Sequence, residues 1–364
     1  MDLEAYQRSG LYDPDSPGAA KRRLLLQWME DHGTTIEQMQ RSAKMGALSS
    51  AAGDALIRPG APIAIEDLTE RVGLSEDRIY DILRAAGASL PDGQEQTFVE
   101  SDVDTFRMFK AAASLFTSDA VLEITRVMGN AMARVAEAAI TLFQVNVEAP
   151  LAESEADEIT FAEANYAGVS ALEMLPRAMG GLFRLHVETA VRRSRSSYNR
   201  ENPFGSRRLA VGFIDLVGFT PLAQQLDDQQ LTDLIEGFER QANEIVTHYD
   251  GRVVKHIGDE VMFIAVGAAA ACHIARAACE AFTKSDVQPH GGLAIGGLLT
   301  RGGDFYGPIV NLASRVGDIA VPGEILVTEE IVNGAEEDGE LQFEPAGRRM
   351  LKGFDEPVPL WSLS

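Results

Sequence analysis

The sequence changes texture once, just past Pro203, and that change limits the fold more than any other feature in it. Before it, apolar residues recur at helical spacing and segments that alternate residue by residue are few. After it, short apolar runs bounded by glycine alternate with amphipathic stretches. At 364 residues the chain is too long for one ordinary compact domain. Two domains are expected, the first helical and the second mixed, meeting between about Arg192 and Pro203. The expected division is 1–160 helical and regulatory, 161–203 a linker helix, and 204–364 catalytic.

In the first half, KRRLLLQWMEDHG holds a helical apolar pattern and stops at Gly33, and Thr34 and Thr35 suit the cap of the next helix. Ile65 to Gly87 reads as a helix-turn-helix. Ile65, Leu68 and Val72 form one stripe, Gly73 makes the turn, and Ser75 caps a second helix carrying Ile79, Ile82 and Leu83. A DNA-reading helix exposes basic and amide side chains. This one sets Glu76, Asp77 and Asp81 against Arg78 and Arg84, which suits a packing or regulatory module instead. Asp102 to about Asn146 is helical again, and the acidic EAPLAESEADE (148–158) reads as a solvated connection. A further helix is expected from roughly Thr160 to Val191, with Arg192, Arg193 and Arg195 at its C-terminal end, where cations are favoured.

Charge narrows the partners. Fifty-five acidic against 32 basic residues leave a net charge of −23, which opposes a nucleic-acid or anionic-membrane partner. A small anionic substrate stays compatible if bound metal and a few local cations offset the field. The N-terminus MDLEAYQRSG has neither the basic nor the apolar region of a secretion signal. No run of about 18 uncharged apolar residues occurs. A cytoplasmic protein without an integral membrane segment is expected. Cys272 and Cys279 fall seven apart on one helix face, beyond disulfide reach along a straight helix, and read as small buried side chains.

In the second half, RRLAVGFIDLVGF, RVVKHIGDEVMFIAV, GGLAIGGLL, GEILVT and PVPLWSL are strand candidates. Helical stretches near 231–249, 268–282 and 309–319 separate them, giving an α+β domain with helices on one face of a mixed sheet. Asp215 ends a buried strand, where an unpaired acid is costly. Asp259 sits in a hairpin turn whose Gly258 allows a backbone most residues avoid. A hairpin beside the first strand brings both carboxylates to one sheet edge, and hard oxygen ligands of this kind bind Mg²⁺ or Mn²⁺. Taken singly, each reads as a turn or cap acid. Asn311 and Arg315, four apart, share a face of the helix beginning near Pro308. Arg can clamp a phosphate and Asn can hold a ribose oxygen, although alone they read as a surface pair.

Together these residues resemble the catalytic domain of class III nucleotide cyclases over roughly Arg207 to Ser364. Asp215 and Asp259 are 44 apart, Lys255 precedes Asp259 by four, Asp304 precedes Asn311 by seven, and Arg315 follows Asn311 by four. The resemblance implies a ferredoxin-like βαββαβ core and two divalent metal ions, Mg²⁺ or Mn²⁺. Asp215, Asp259 and a backbone carbonyl of Ile214 or Leu216 would hold them. The amides of Val217, Gly218, Phe219 and Thr220 would help cradle phosphates. Lys255 and Asp304 would read adenine rather than guanine, for which Glu and Cys are typical. Asn311 would orient the ribose and Arg315 would stabilise the transition state. Lys352 is a further candidate for the triphosphate, with a solvated Lys as the alternative. The substrate implied is ATP, the product cyclic AMP, and the assembly a homodimer with two shared sites.

A helical domain ahead of such a catalytic domain resembles the mycobacterial pH-sensing adenylate cyclases, whose N-terminal domain is autoinhibitory. His186 in FRLHVETAV is a candidate titrating group there, a packed or solvated His being the alternative. Diguanylate cyclases are the nearest rival enzymes, but their Gly-Gly-Asp-Glu-Phe hairpin differs from IGDEV. A degenerate signalling scaffold would normally have lost a metal Asp or the Arg, and both are present.

Overall fold

Helical periodicity does govern the chain as far as Ser196. The computed structural model describes residues 2–57, 60–88, 98–154, 156–172, 174–196, 207–282 and 288–364. It separates into two units, Met1–Leu185 and His186–Ser364.

In the first unit, α1 (Leu3–Arg8), α2 (Ala19–Asp31), α3 (Ile36–Lys44) and α4 (Ala51–Ile57) close around Tyr6, Leu25, Leu26, Met29 and Met39. The expected cap is Thr35, which forms a reciprocal capping box with Gln38, while Thr34 is buried. Next come α5 (Ile65–Val72) and α6 (Glu76–Ala86), the expected helix-turn-helix. Gly73 ends α5 at φ +68°, and the Ser75 hydroxyl accepts the Arg78 amide. Arg84 pairs with Asp81 at 2.7 Å, and Arg78 donates to the Ser118 carbonyl at 2.9 Å. Both cations of the second helix are thus engaged within the chain. A two-residue ladder of β1 (Pro62–Ile63) and β2 (Phe98–Val99) adds a small strand pair to a unit expected to be all helical.

After α7 (Glu100–Leu115), α8 (Ser118–Phe143) continues without a break through a π turn at Gln144–Glu148 into α9 (Ala149–Glu153). The helix therefore runs into the acidic stretch expected as a connection. Pro150 explains how: it falls in the first turn of α9, where its missing N–H costs little, and the wider π turn precedes it. The helix expected over 161–203 is two helices. α10 (Glu158–Leu172) returns to the first core, burying Ala162, and α11 (Leu175–Ser196) starts afresh with Pro176 in its first turn. The boundary between units falls inside α11, and 197–203 lies outside the described residues. No helix among the described residues is long and apolar enough to cross a membrane.

The second unit is built on β3 (Arg207–Val217), α12 (Phe219–Ala223), α13 (Asp228–His248), β4 (Arg252–Ile257), β5 (Glu260–Ala265), α14 (Ala268–Phe282) and β6 (Gln288–Arg301). It ends with β7 (Asp304–Tyr306), α15 (Pro308–Gly317), β8 (Ile325–Thr328), α16 (Glu329–Ala335), β9 (Phe343–Arg349) and β10 (Val358–Leu363). The strand order is β4-β5-β3-β6-β8-β10-β9, with β7 folding back on β6. The first four strands form the expected βαββαβ core, a split βαβ with an antiparallel strand between the parallel pair.

Alternation along β3 feeds two cores. Ala210, Ile214 and Leu216 join Phe238, Ala242 and Ile274 beneath α13 and α14. Leu209, Val211 and Phe213 join Met262, Leu298, Phe305 and Ala313 on the opposite face. Each large fully buried side chain contributes roughly 1.5–3 kcal/mol. Helices were expected on one face only. α13, α14 and α16 do cover one face, but α15 lies across the other, because Val310, Ala313 and Val316 give it an apolar stripe of its own. Cys272 and Cys279 are buried in α14, and burial pushes both thiols up to about 12.

Candidate active site

The face carrying α15 gathers the predicted residues. β3 alternates, so Asp215 shares this face with Phe213, and it is opposite His290 of β6 in the ladder. Its Oδ1 accepts the Leu216 amide at 3.0 Å, and its Oδ2 lies 3.9 Å from His290 Nε2. The β4–β5 hairpin closes through Gly258, at φ +66°, and Asp259, with Ile257 opposite Glu260. That two-residue turn brings Asp259 beside Asp215. The Asp259 carboxyl is raised from the usual carboxylate range, first by burial and then by the charge of Asp215. Glu260 is pushed up to about 7, by burial first and then by Asp215, Asp318 and Asp259. Three acids thus crowd one edge of the sheet.

The second cluster is an ion pair. Lys255 Nζ lies 2.7 Å from Asp304 Oδ2, and Asp304 Oδ1 accepts the Phe305 amide at 2.8 Å. Burial alone would raise the Asp304 carboxyl. The hydrogen bonds from Lys255 and Phe305, with the charges of Lys255 and Arg252, outweigh it and hold the group below its ordinary value.

A register break explains how Lys255 gets there. Val253 is opposite Phe263, whereas Lys255 is opposite Met262, so Val254 is an extra residue in β4. Phe263 belongs to the core under α13 and α14, and Met262 to the core under α15. A regular strand would put Lys255 on the same face as Val253, under the helices. The bulge switches it to the face that holds Asp304.

α15 supplies the remaining pair. Pro308 opens it in the first turn, and Ala313 and Val316 are fully buried against the sheet. Asn311 is exposed one turn before Arg315, whose Nη1 donates to Asp318 Oδ2 at 2.6 Å. The end of β3 behaves as expected: Val217 is exposed, Gly218 takes φ +93°, and α12 starts at Phe219 and Thr220. Lys352 is exposed in the turn between β9 and β10. Strand directions put that turn at the opposite end of the sheet from Asp215, so one protomer does not bring the two together. His186 is exposed on α11.

Sequence reasoning missed Glu260 and His290. Glu260 follows Asp259 directly, but nothing in IGDEV shows that it is half-buried. His290 is buried, and its Nδ1 has no partner. The available signal was a His heading a glycine-rich buried strand directly opposite Asp215.

Among the described residues, no set of three His, Cys, Asp or Glu stands together as a ready metal cage. The donors do fit a divalent cation bound chiefly by substrate. Mg²⁺ is commonly held by one or two carboxylates plus phosphates, and raised carboxylates without a nearby Lys or Arg would be relieved by a cation.

Residues 6–190 match the family described as the adenylate cyclase regulatory domain. An uncharacterized protein of Mycobacterium tuberculosis is 30% identical over 369 residues, covering 100% of this chain and 94% of its own. A pH-sensitive adenylate cyclase of the same species is 27% identical over 366 residues, covering 96% of this chain and 90% of its own. An adenylate cyclase of Streptomyces coelicolor is 33% identical over 240 residues, covering 65% and 62%. Among solved structures, the adenylyl cyclase CyaB from P. aeruginosa is similar at 25% identity and a TM-score of 0.40. It covers 43% of this chain and 93% of that one.

Proposed function

The chain belongs to the adenylate cyclases that carry this regulatory domain, and from that premise we propose that it converts ATP to 3′,5′-cyclic AMP and pyrophosphate at a site shared between two copies. The observation that carries this reading is the grouping of Asp215, Asp259, Lys255, Asp304, Asn311 and Arg315 on the α15 face, with Lys255 and Asp304 already paired.

Lys255 donates to adenine N1 and Asp304 accepts from the exocyclic amine. Guanine presents the opposite polarity at both positions, so a buried charge would be left unpaired against it. Asn311 orients the ribose so that its 3′-hydroxyl faces the α-phosphorus. The new O–P bond forms there as the bond to the β-phosphate oxygen breaks, and pyrophosphate leaves. Arg315 stabilises the charge that develops on the phosphoryl oxygens. The backbone amides from Val217 to Thr220 lie beside the carboxylates and are placed to hold phosphate oxygens, with Lys352 reaching them from the second copy. Two divalent ions, held by Asp215, Asp259 and the Ile214 carbonyl, would lower the pKa of the attacking hydroxyl and support the leaving group.

The dimer reading is supported by apolar side chains left exposed around the site. Ile257, Leu299 and Tyr306 are 49%, 63% and 51% exposed, and Leu299 and Tyr306 are cross-strand neighbours beside Asp304. Contiguous exposed apolar groups of this kind mark association surfaces. The helical unit sets the activity of the catalytic one, with pH as the signal.

The test measures cyclic AMP made from ATP and Mn²⁺ by the full chain and by a chain beginning at Asn202, across pH. Product from both, lost in Asp215→Ala, is expected, together with a pH dependence that differs between the two chains. Identical pH profiles would remove the regulatory claim. No product from either, with dimers intact, would leave a nucleotide-binding scaffold.

A further inference from the structure

The hairpin that presents Asp304 is built from the weakest backbone available. Arg301 is opposite Asp304 in the β6–β7 ladder, so the turn is Gly302–Gly303, with φ +60° and +80°. Two positive-φ residues in a two-residue loop form the primed turn that suits a twisted hairpin, and glycine tolerates it freely. The same freedom makes a Gly-Gly tip costly to order. β7 is only three residues long. Left to itself, such a tip would hold the Asp304 carboxylate loosely.

Arg252 grips this tip on both sides of Asp304. Its Nη2 donates to the Gly303 carbonyl at 3.0 Å, and its guanidinium stands over the Phe305 ring, 5.1 Å from the centroid. A planar guanidinium makes both contacts at once, the hydrogen bond along its edge and the cation–π contact through its face. The grip starts from β4, the strand that carries Lys255. Arg252 is opposite Ile264 and Lys255 opposite Met262, both in or beside the core under α15. The bulge at Val254 therefore puts Arg252 and Lys255 on one face, three residues apart, where a regular strand would separate them.

We propose that Arg252 is a positioning residue for nucleotide selection: it locks the Gly302–Gly303 tip to β4, so that Asp304 and Lys255 face the base at a fixed separation. This inference rests on the reading of Lys255 and Asp304 as the adenine-reading pair. It assigns Arg252 no contact with substrate and no part in bond making. Loss of the grip leaves the chemistry in place and widens the geometry in which Asp304 meets the base. Binding and base discrimination fall, and turnover at saturation does not.

The full-length protein tests this as Arg252→Ala and Arg252→Lys, beside Lys255→Ala and Asp304→Asn. The measurements are kcat and KM for ATP and for GTP, calorimetric binding of 3′-deoxy-ATP, which lacks the attacking hydroxyl, and the thermal midpoint. Arg252→Ala is expected to raise KM for ATP and weaken 3′-deoxy-ATP binding by about tenfold, with kcat within about twofold. The ATP-over-GTP ratio of kcat/KM should narrow by about tenfold. Arg252→Lys keeps one donor and the charge, and should recover part of both. If Arg252→Ala does not fold, the same comparison is made with Arg252→Lys alone against the wild type. Unchanged KM, binding and discrimination in the Arg252 variants, while Lys255→Ala and Asp304→Asn lose them, would overturn the role of Arg252 and leave the base-reading pair standing. If Lys255→Ala and Asp304→Asn also keep full discrimination, the base-reading assignment is wrong and the role of Arg252 falls with it. A fall in kcat equal to the fall in kcat/KM would overturn the positioning role as well.

Discussion

Gly292→Ala isolates what α15 contributes. Gly292 lies on β6 where α15 crosses with no side chain between them. A Cβ there would stand 2.1 Å from the Gly317 amide nitrogen, 2.5 Å from the Ala313 carbonyl oxygen and 2.8 Å from Gly317 Cα. All three neighbours are backbone, so no rotamer change relieves the clash. To restore ordinary contact, α15 must retreat by roughly 1 Å in an interior packed like a crystal. Arg315 stands two residues before Gly317 and Asn311 one turn earlier, so both ride on the displaced helix. A misplacement of this size in groups that meet the transition state costs on the order of 100-fold in rate. Overpacking adds a stability loss of about 1–3 kcal/mol. Lys255 and Asp304 belong to β4 and β7, so the KM for ATP should stay within about threefold, since only transition-state contacts are disturbed. The assay is steady-state formation of cyclic AMP by the full chain with Mn²⁺, alongside thermal unfolding. A kcat within twofold of wild type and an unchanged midpoint would refute the seating of α15 on Gly292. A lowered midpoint with full kcat would refute the transition-state role of the helix.

Two further outcomes follow from the same geometry. Replacing the base-reading pair together, Lys255→Glu with Asp304→Cys, should invert the hydrogen-bond polarity and move the kcat/KM preference toward GTP; retention of strict ATP preference would place base selection elsewhere. Glu260→Gln should stabilise the metal-free protein at pH 8 and leave it unchanged at pH 4. The folded Glu260 carboxyl sits near 7 and its unfolded value near the ordinary 4.5, so the native state holds the extra proton between them. Wild-type stability therefore falls as pH rises through that window, by about 1–2 kcal/mol after allowing for solvent screening of a half-buried group. Equal thermal midpoints of the two proteins at pH 8 would contradict the crowding of acids at this edge.

The parts of the site that could be read from sequence are those where residue type and spacing carry the chemistry. Asp215 at the end of an apolar strand, Asp259 beside Gly258 and the Asn311–Arg315 helical pair each have a local signature, and the fold brings them to one face. The helix-turn-helix was legible for the same reason, since Gly73 and Ser75 are local devices. The long helix through Pro150 and the divided helix around Pro176 were not, because both depend on where a proline falls relative to a helix start. That is settled by packing, such as the burial of Ala162 against the first core.

The bulge at Val254 was beyond sequence for a deeper reason. RVVKHI fits a regular strand equally well, and a regular strand would send Lys255 under α13 and α14, where a lysine has no partner to offset its burial. The extra residue is selected by tertiary context alone. Val253 fits against the core under α14, Val254 against the core containing Phe305, and only a register shift satisfies both. Once that shift is made, Arg252 and Lys255 stand together facing the Asp304 hairpin, one holding its carbonyl and the other its carboxylate. The residue that breaks the ladder is therefore the one that assembles the base-reading pair. Its removal should disable nucleotide selection even with every polar residue of the site retained.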